Sequence, residues 1–274
     1  MGWSEDSLRV YFANQKSDQE GSRPSTKDPK HVYPNALMPA VCPVLALGIY
    51  LLCTGFEATP NKLFPGGKQY DRYQKKLRKL LSSPAVAAEL DSRGLKASDF
   101  GTHSVRKGAA TYCCSGSTAG PHMAAIQLRA GWTLEGVQDR YIRYEAAGDQ
   151  AVGRFVSGLP FTSVYFAMLP PFFRVDSPLL ARAIHECFPR APATLLGVLK
   201  YCVASVLHHT RFLRDTLPEE HQLFATPLFR PEFAPLRDDV VCRLYEVGDP
   251  LQPTGATRRY MCTAARCAPV DRVR

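Results

Sequence analysis

Alternation of apolar and polar positions first appears at Leu8-Arg9-Val10-Tyr11-Phe12, which predicts a strand. A polar turn over Asn14–Gly21 follows, then a loop over Ser22–Lys30 containing Pro24 and Pro29, and the short run His31-Val32-Tyr33 is placed to pair back as a small hairpin. The pattern then turns helical. Pro43 suits the first turn of a buried apolar helix running to about Cys53, with Gly55 just past its end. Between Lys68 and Lys79, the residues Tyr70, Tyr73, Leu77, Leu80 and Leu81 recur at helical spacing, which predicts an amphipathic helix with a basic outer face. Three further helices are expected over Thr102–Ser115, His122–Arg129 and Leu134–Tyr144, separated by Gly116, Gly120-Pro121 and Gly131. After Pro160 prolines punctuate the chain, and helical spacing returns over Leu195–Leu207 and a shorter stretch at Val240–Tyr245. The expected fold class is mainly α (α+β), with residues 1–160 as one domain, 161–250 as a helical C-terminal region, and 251–274 as a disordered basic tail.

Charge sharpens this picture. The 274 residues carry 34 Lys plus Arg against 25 Asp plus Glu, a net charge of +9 that favours polyanionic partners. The basic residues concentrate locally: Lys68, Arg72, Lys75, Lys76, Arg78 and Lys79 oppose Asp71 alone. That helix face is either plainly solvated or a track for nucleic-acid phosphates. The apolar run from Val44 to Cys53 is well short of the ~20 residues that cross a bilayer, so no membrane partner is expected. The N-terminus has neither the basic and apolar regions of a secretion signal nor a myristoylation pattern. Nine cysteines, an odd count without a C-x-x-C pair, point to a reducing intracellular compartment, the nucleus if the source is eukaryotic. Cys113-Cys114, Cys187, Cys202 with His208-His209, and Cys262 with Cys267 match no zinc spacing, so no metal is expected. The Gly/Ser-rich run Ser115–Gly120 lacks the Gly-Lys-Ser/Thr ending of a phosphate loop and reads as a helix connector.

The stretch with the most chemistry is His103-Ser104-Val105-Arg106-Lys107-Gly108. Positions three apart share a helix face, so His103 and Arg106 can present an imidazole and a guanidinium together. Such a pair suits a phosphoryl centre: the guanidinium fork holds two oxygens, while the imidazole donates to a third or moves a proton. Downstream come Gly131-Trp132 and Asp139-Arg140-Tyr141-Ile142-Arg143-Tyr144, with Trp132 29 residues after His103 and Tyr141 nine after Trp132.

This order and spacing resemble the catalytic domain of the tyrosine recombinase (phage integrase) family, over roughly residues 7–160. The wording is similar to recombinases of eukaryotic mobile elements, the Crypton or DIRS-like group. The resemblance implies that Tyr141 attacks a DNA phosphate to leave a 3′-phosphotyrosyl bond, with no metal, cofactor or small-molecule substrate. It implies that Arg106 holds the non-bridging oxygens, that His103 assists as acid or base, and that Trp132 replaces a second histidine. Lys16, in the hairpin turn, would protonate the departing 5′-oxygen. Double-stranded DNA is the implied partner, with Lys107 and the Lys68–Lys79 set on its phosphates and a homo-tetramer assembled on paired sites. A phenol near pKa 10 needs such cations to act at pH 7.

Tyr144, three residues on, is the competing nucleophile. The family's first catalytic arginine and its core-binding domain have no counterpart, since Arg9 has the wrong spacing and sits in a strand-like segment. The chain therefore reads as N-terminally truncated. A catalytically lapsed DNA-binding relic of a mobile element is one alternative, and a protein-interaction scaffold built on 161–250 is another.

Overall fold

The structure, a computed structural model, describes residues 1–12, 28–56, 63–132, 146–247 and 249–256. It is mainly helical with a small amount of β structure. The chain divides into two compact units, one formed by Met1–Glu57 with Thr118–Arg274, the other by Ala58–Ser117.

The larger unit begins with three antiparallel strands, β1 (Gly2–Ser4), β2 (Ser7–Val10) and β3 (Lys30–Val32), in that spatial order. Gly2 faces Arg9 across the first pair, and Val10 faces Lys30 across the second. The expected hairpin is thus present, and β1 adds an edge through a tight turn in which Glu5 takes the left-handed conformation (φ 52°). Helix α1 (Pro43–Thr54) starts at a proline, as the sequence predicts, with the Cys42 thiol accepting from the Leu45 amide.

The smaller unit holds α2 (Gln69–Leu81), α3 (Pro84–Ser92) and α4 (Ser104–Ser115). Neither α2 nor α3 buries a residue fully, and Cys113 is the one buried side chain of α4. The larger unit resumes with α5 (Met123–Ala130) and α6 (Ala146–Val156). The helix expected over Leu134–Tyr144 lies outside the described residues.

Beyond Pro160 come β4 (Phe172–Phe173), α7 (Pro178–Cys187), α8 (Leu196–His208), α9 (Thr210–Thr216) and β5 (Val240–Val241). Helix α8 is apolar on most of its circumference: Val198, Leu199, Cys202, Val203, Ala204 and Val206 are all buried, as expected of a central helix. Helix α1 packs along it, Trp3 of β1 stacks on its Tyr201 with ring centroids 3.9 Å apart, and β4 and β5 lie against it. Residues on both sides of Pro160 therefore share one core, and the packing does not divide the chain there. Leu251 is buried with Leu169 and Phe172, so packed chain extends past the expected start of the tail; residues 257–274 lie outside the described ones.

The helical expectation for Val240–Tyr245 is corrected. Val240 and Val241 pair with Phe173 and Phe172 as a short antiparallel strand. Two adjacent β-branched residues beside two aromatics suit a pleated pair, and six residues are too few to sustain a helix without caps.

One glycine marks a close approach. A Cβ at Gly153 of α6 would stand 2.5 Å from the His31 carbonyl oxygen and 3.0 Å from two Tyr33 ring carbons. Gly153→Ala is expected to destabilise the protein by about 1–3 kcal/mol through overpacking. Gly108→Ala, where the added methyl meets nothing within 4 Å, should stabilise it by about 0.5–1 kcal/mol. Urea unfolding of the two variants beside the parent checks the opposite signs.

Candidate functional site

In the smaller unit, the His103 carbonyl accepts the first helical bond of α4 from the Lys107 amide at 2.9 Å. His103 has helical backbone angles (φ −84°, ψ −12°), so His103 and Arg106 stand one turn apart on one side of this helix end. His103, Arg106 and Lys107 are all exposed. Ser104 Oγ accepts from the Gly101 amide at 2.9 Å, closing the turn that enters the helix.

The same unit brings α2 to this turn. The Tyr70 hydroxyl lies 3.1 Å from Thr102 Oγ1, one residue before His103. Helix α2 has Leu77 and Leu81 half-buried, while Lys68, Arg72, Lys75, Lys76, Arg78 and Lys79 are exposed. The steps of three and four from Lys68 through Arg72, Lys75, Lys76 and Lys79 align these cations along one side. Arg72 is partly committed inward: its Nη1 donates to the Pro65 carbonyl at 2.7 Å. The basic face is exposed as the sequence predicts, with Arg72 turned to its own N-terminal loop, but of the predicted apolar face Tyr70, Tyr73 and Leu80 are exposed as well.

Trp132 belongs to the larger unit. Gly131 ends α5 in the left-handed conformation (φ 68°), with its amide 3.1 Å from the Leu128 carbonyl and the Trp132 amide 2.9 Å from that of Gln127. This double closure needs a positive φ that glycine adopts without steric cost, and it fixes the backbone from which Trp132 projects. The indole is half-exposed. Tyr141, its competitor Tyr144, and Lys16 lie outside the described residues; Lys16 falls in the connection between β2 and β3.

A buried cluster that sequence reasoning does not find holds the Trp132 turn to the hairpin. Asp149 of α6 accepts from the His31 backbone amide at 2.7 Å and lies 2.9 Å from the His31 ring Nδ1. Arg129 of α5 pairs with the Asp149 carboxylate at 2.7 Å and donates to the His31 carbonyl at 2.8 Å. Lys30 Nζ donates to the Leu128 carbonyl at 3.4 Å and stands 4.0 Å from Asp149. The end of the β2–β3 pair from which the Lys16 connection departs is thus packed against the last turn of α5. Burial alone pushes the Asp149 carboxyl up, but the His31 hydrogen bonds and the charges of Arg129 and Lys30 outweigh it and hold the group below the ordinary carboxylate range. Burial also lowers the Lys30 ammonium, against the pull of Asp149.

Three of the cysteines are made poor nucleophiles by their surroundings. Burial pushes the thiols of Cys202 and Cys242 up to about 12 and that of Cys187 up to about 11. Among the described residues no group of three or more His, Cys, Asp or Glu is placed to hold a metal ion, and no helix is long and apolar enough to cross a membrane. Comparison of the chain with protein-family models, curated proteins and solved structures finds no match.

Because the folded Asp149 carboxyl lies below its unfolded value near 4, its contribution to stability is complete above that pH and is lost as pH falls through the lower folded value. Asp149→Asn should therefore flatten the acid limb of a stability-versus-pH curve. Asp149→Ala, which leaves Arg129 without its buried partner, should cost about 3–5 kcal/mol at pH 7. Urea titrations between pH 7 and pH 2 measure both effects.

Proposed function

We propose that this protein is a DNA-acting enzyme of the tyrosine-recombinase type, which cleaves and rejoins strands through Tyr141. The observation that carries the reading is the His103–Arg106 turn, followed in the sequence by Gly131-Trp132 and Tyr141 at the spacing of such sites. The structure supports it in two ways. The His103–Arg106–Lys107 turn and the basic side of α2 belong to one unit, tied through Tyr70 and Thr102. In the other unit, the mouth of the hairpin that carries Lys16 abuts the helix that ends at Trp132.

In the proposed step the Tyr141 phenolate attacks the scissile phosphorus, forming a 3′-phosphotyrosyl ester as the bond to the 5′-oxygen breaks. Arg106 binds the two non-bridging oxygens as charge builds on them, and His103 takes or returns the phenolic proton. Lys16 protonates the departing 5′-oxygen. The ester conserves the energy of the broken bond, so a 5′-hydroxyl from another strand can reverse the step without an energy cofactor. A chromosomal substrate implies a reducing compartment, the nucleus in a eukaryote, and strand exchange requires several copies on paired sites.

The second reading is a DNA binder without cleavage. The exposed cations of α2 favour it, because that surface is complete without any nucleophile.

The test is capture of the chain on nicked duplexes, resolved on a denaturing gel with peptide mass mapping of the adduct. A covalent adduct on Tyr141 is expected, absent in Tyr141→Phe, retained in Tyr144→Phe, and formed about 10³-fold more slowly in Arg106→Ala. Replacing Lys75, Lys76, Arg78 and Lys79 by Gln should reduce the salt slope of duplex binding by roughly 0.9 for each phosphate no longer neutralised. Retained salt-dependent binding with no adduct selects the second reading. An affinity indifferent to those four substitutions and to salt rejects both.

A further inference from the structure

A second cationic feature lies in the larger unit, among residues with no role in the proposed site. Residues from the end of α8, from α9, and from the 3₁₀ turn Pro231–Arg237 line a groove of about 400 Å³. Three arginines reach it, Arg211, Arg214 and Arg237, with Asp215 as the one acidic lining residue. Its volume is at the lower end for small-molecule sites.

The arrangement is unusual for its surroundings. Residues 161–250 carry slightly more acidic than basic residues. Arg182, Lys200, Arg230 and Arg243 each face a carboxylate there. Arg214 and Arg237 pair with none among the described residues, and Arg211 has only a loose contact with Asp215 at 3.9 Å. Arg214 is nevertheless oriented, since its guanidinium sits 4.9 Å over the Phe224 ring and 5.8 Å from the Phe229 centroid. Stacking of this kind directs the guanidinium plane while leaving its N–H donors for another group. Thr210 is not a competing donor, because its hydroxyl already donates to the Leu207 carbonyl at 2.8 Å. His208 also lines the groove, and burial lowers its imidazole below the ordinary value, so at neutral pH it adds a hydrogen-bonding group without charge.

We propose that this groove binds a phosphate group through Arg211, Arg214 and Arg237. Three guanidiniums against one carboxylate leave two positive charges, which match a phosphomonoester or one face of a pyrophosphate. All three cations are arginine, whose fork bonds two phosphoryl oxygens at once, where lysines would form a diffuse patch. The phosphate can come from a free phosphorylated compound or from a nucleic-acid backbone. The proposal does not depend on the recombinase reading, since none of its residues belongs to that site.

The experiment is calorimetric titration of the full chain with pyrophosphate at constant ionic strength. Saturable one-to-one binding is expected. The double variant Arg211→Gln/Arg237→Gln should weaken it about ten-fold or more, and Arg190→Gln, outside the groove, should leave it unchanged. Thermal melts check that the variants are folded, and Arg211→Lys/Arg237→Lys, which keeps charge and loses the fork, should show an intermediate loss. Adding a short duplex separates the sources. Competition with pyrophosphate, with a duplex salt slope lowered by about 2 in the Gln variant, assigns the phosphate to a nucleic-acid backbone. Pyrophosphate binding without competition assigns it to a small phosphorylated compound. Absence of saturable pyrophosphate binding, or binding indifferent to both double variants, overturns the proposal.

Discussion

The larger unit is organised around one buried ion pair, Asp6 with Arg154, both side chains fully removed from solvent. Asp6 sits in the turn between β1 and β2, and Arg154 on α6, 148 residues away. The guanidinium also donates to the Phe166 carbonyl at 2.7 Å and to the Thr254 carbonyl, and it stacks 4.5 Å from the centre of the Tyr33 ring. Thr254 answers with its amide and hydroxyl on the Asp6 carboxylate, at 3.1 and 2.6 Å. Burial raises the Asp6 carboxyl above its ordinary value, with Arg154 and Thr254 pulling the other way. Pairs of this kind contribute little net stability against an apolar replacement, yet losing one partner costs about 3–5 kcal/mol. The physical consequence is specificity of arrangement: the hairpin, β3, the turn after Pro160 and the segment at Thr254 must all be in place together for the charges to be satisfied.

Helix α6 carries that constraint toward the candidate site. Asp149 and Arg154 both face inward from it, and Gly153 lets its backbone touch β3. One end of the helix therefore fixes the hairpin turn, and the other fixes β3 against α5 and so against the Trp132 turn. The smaller unit is built on a different balance. Its helices bury almost nothing fully, its cations point outward, and Tyr70, Tyr73, Leu80, Val105 and Tyr112 remain exposed. Basic residues are thus interleaved with exposed aromatic and aliphatic ones on this unit.

Elements governed by local periodicity are legible in the sequence: the β2–β3 pairing, α1 from Pro43, the amphipathic α2 and the apolar α8. Two of the helices that periodicity does not reveal begin at a proline. Pro84 and Pro178 each occupy the first helical turn after a serine, and the Ser177 hydroxyl accepts from the Leu180 amide at 3.2 Å. Reading the prolines after Pro160 as punctuation hides α7, although the same first-turn rule correctly starts α1 at Pro43. Helix α6 is hidden by Gly148 and Gly153, poor helix formers whose presence answers a packing need that no local window contains. The His103–Arg106 turn is legible because its partners are three residues apart. The Asp149 and Asp6 networks are not, because their members come from positions up to 248 residues apart and only the folded chain brings them together.

The two units make different demands on the proposed chemistry. His103 and Arg106 are carried by the smaller unit and Trp132 by the larger. His103, Arg106 and Lys107 lie at an exposed helix end, whereas Arg129 and Arg154 are held in buried networks by backbone carbonyls and carboxylates. Any interaction of the exposed α2 cations with an anionic partner weakens with salt, while the buried networks of the larger unit are screened far less. The larger unit is thus held by buried networks that salt hardly reaches, while the smaller one presents exposed cations whose interactions respond to it.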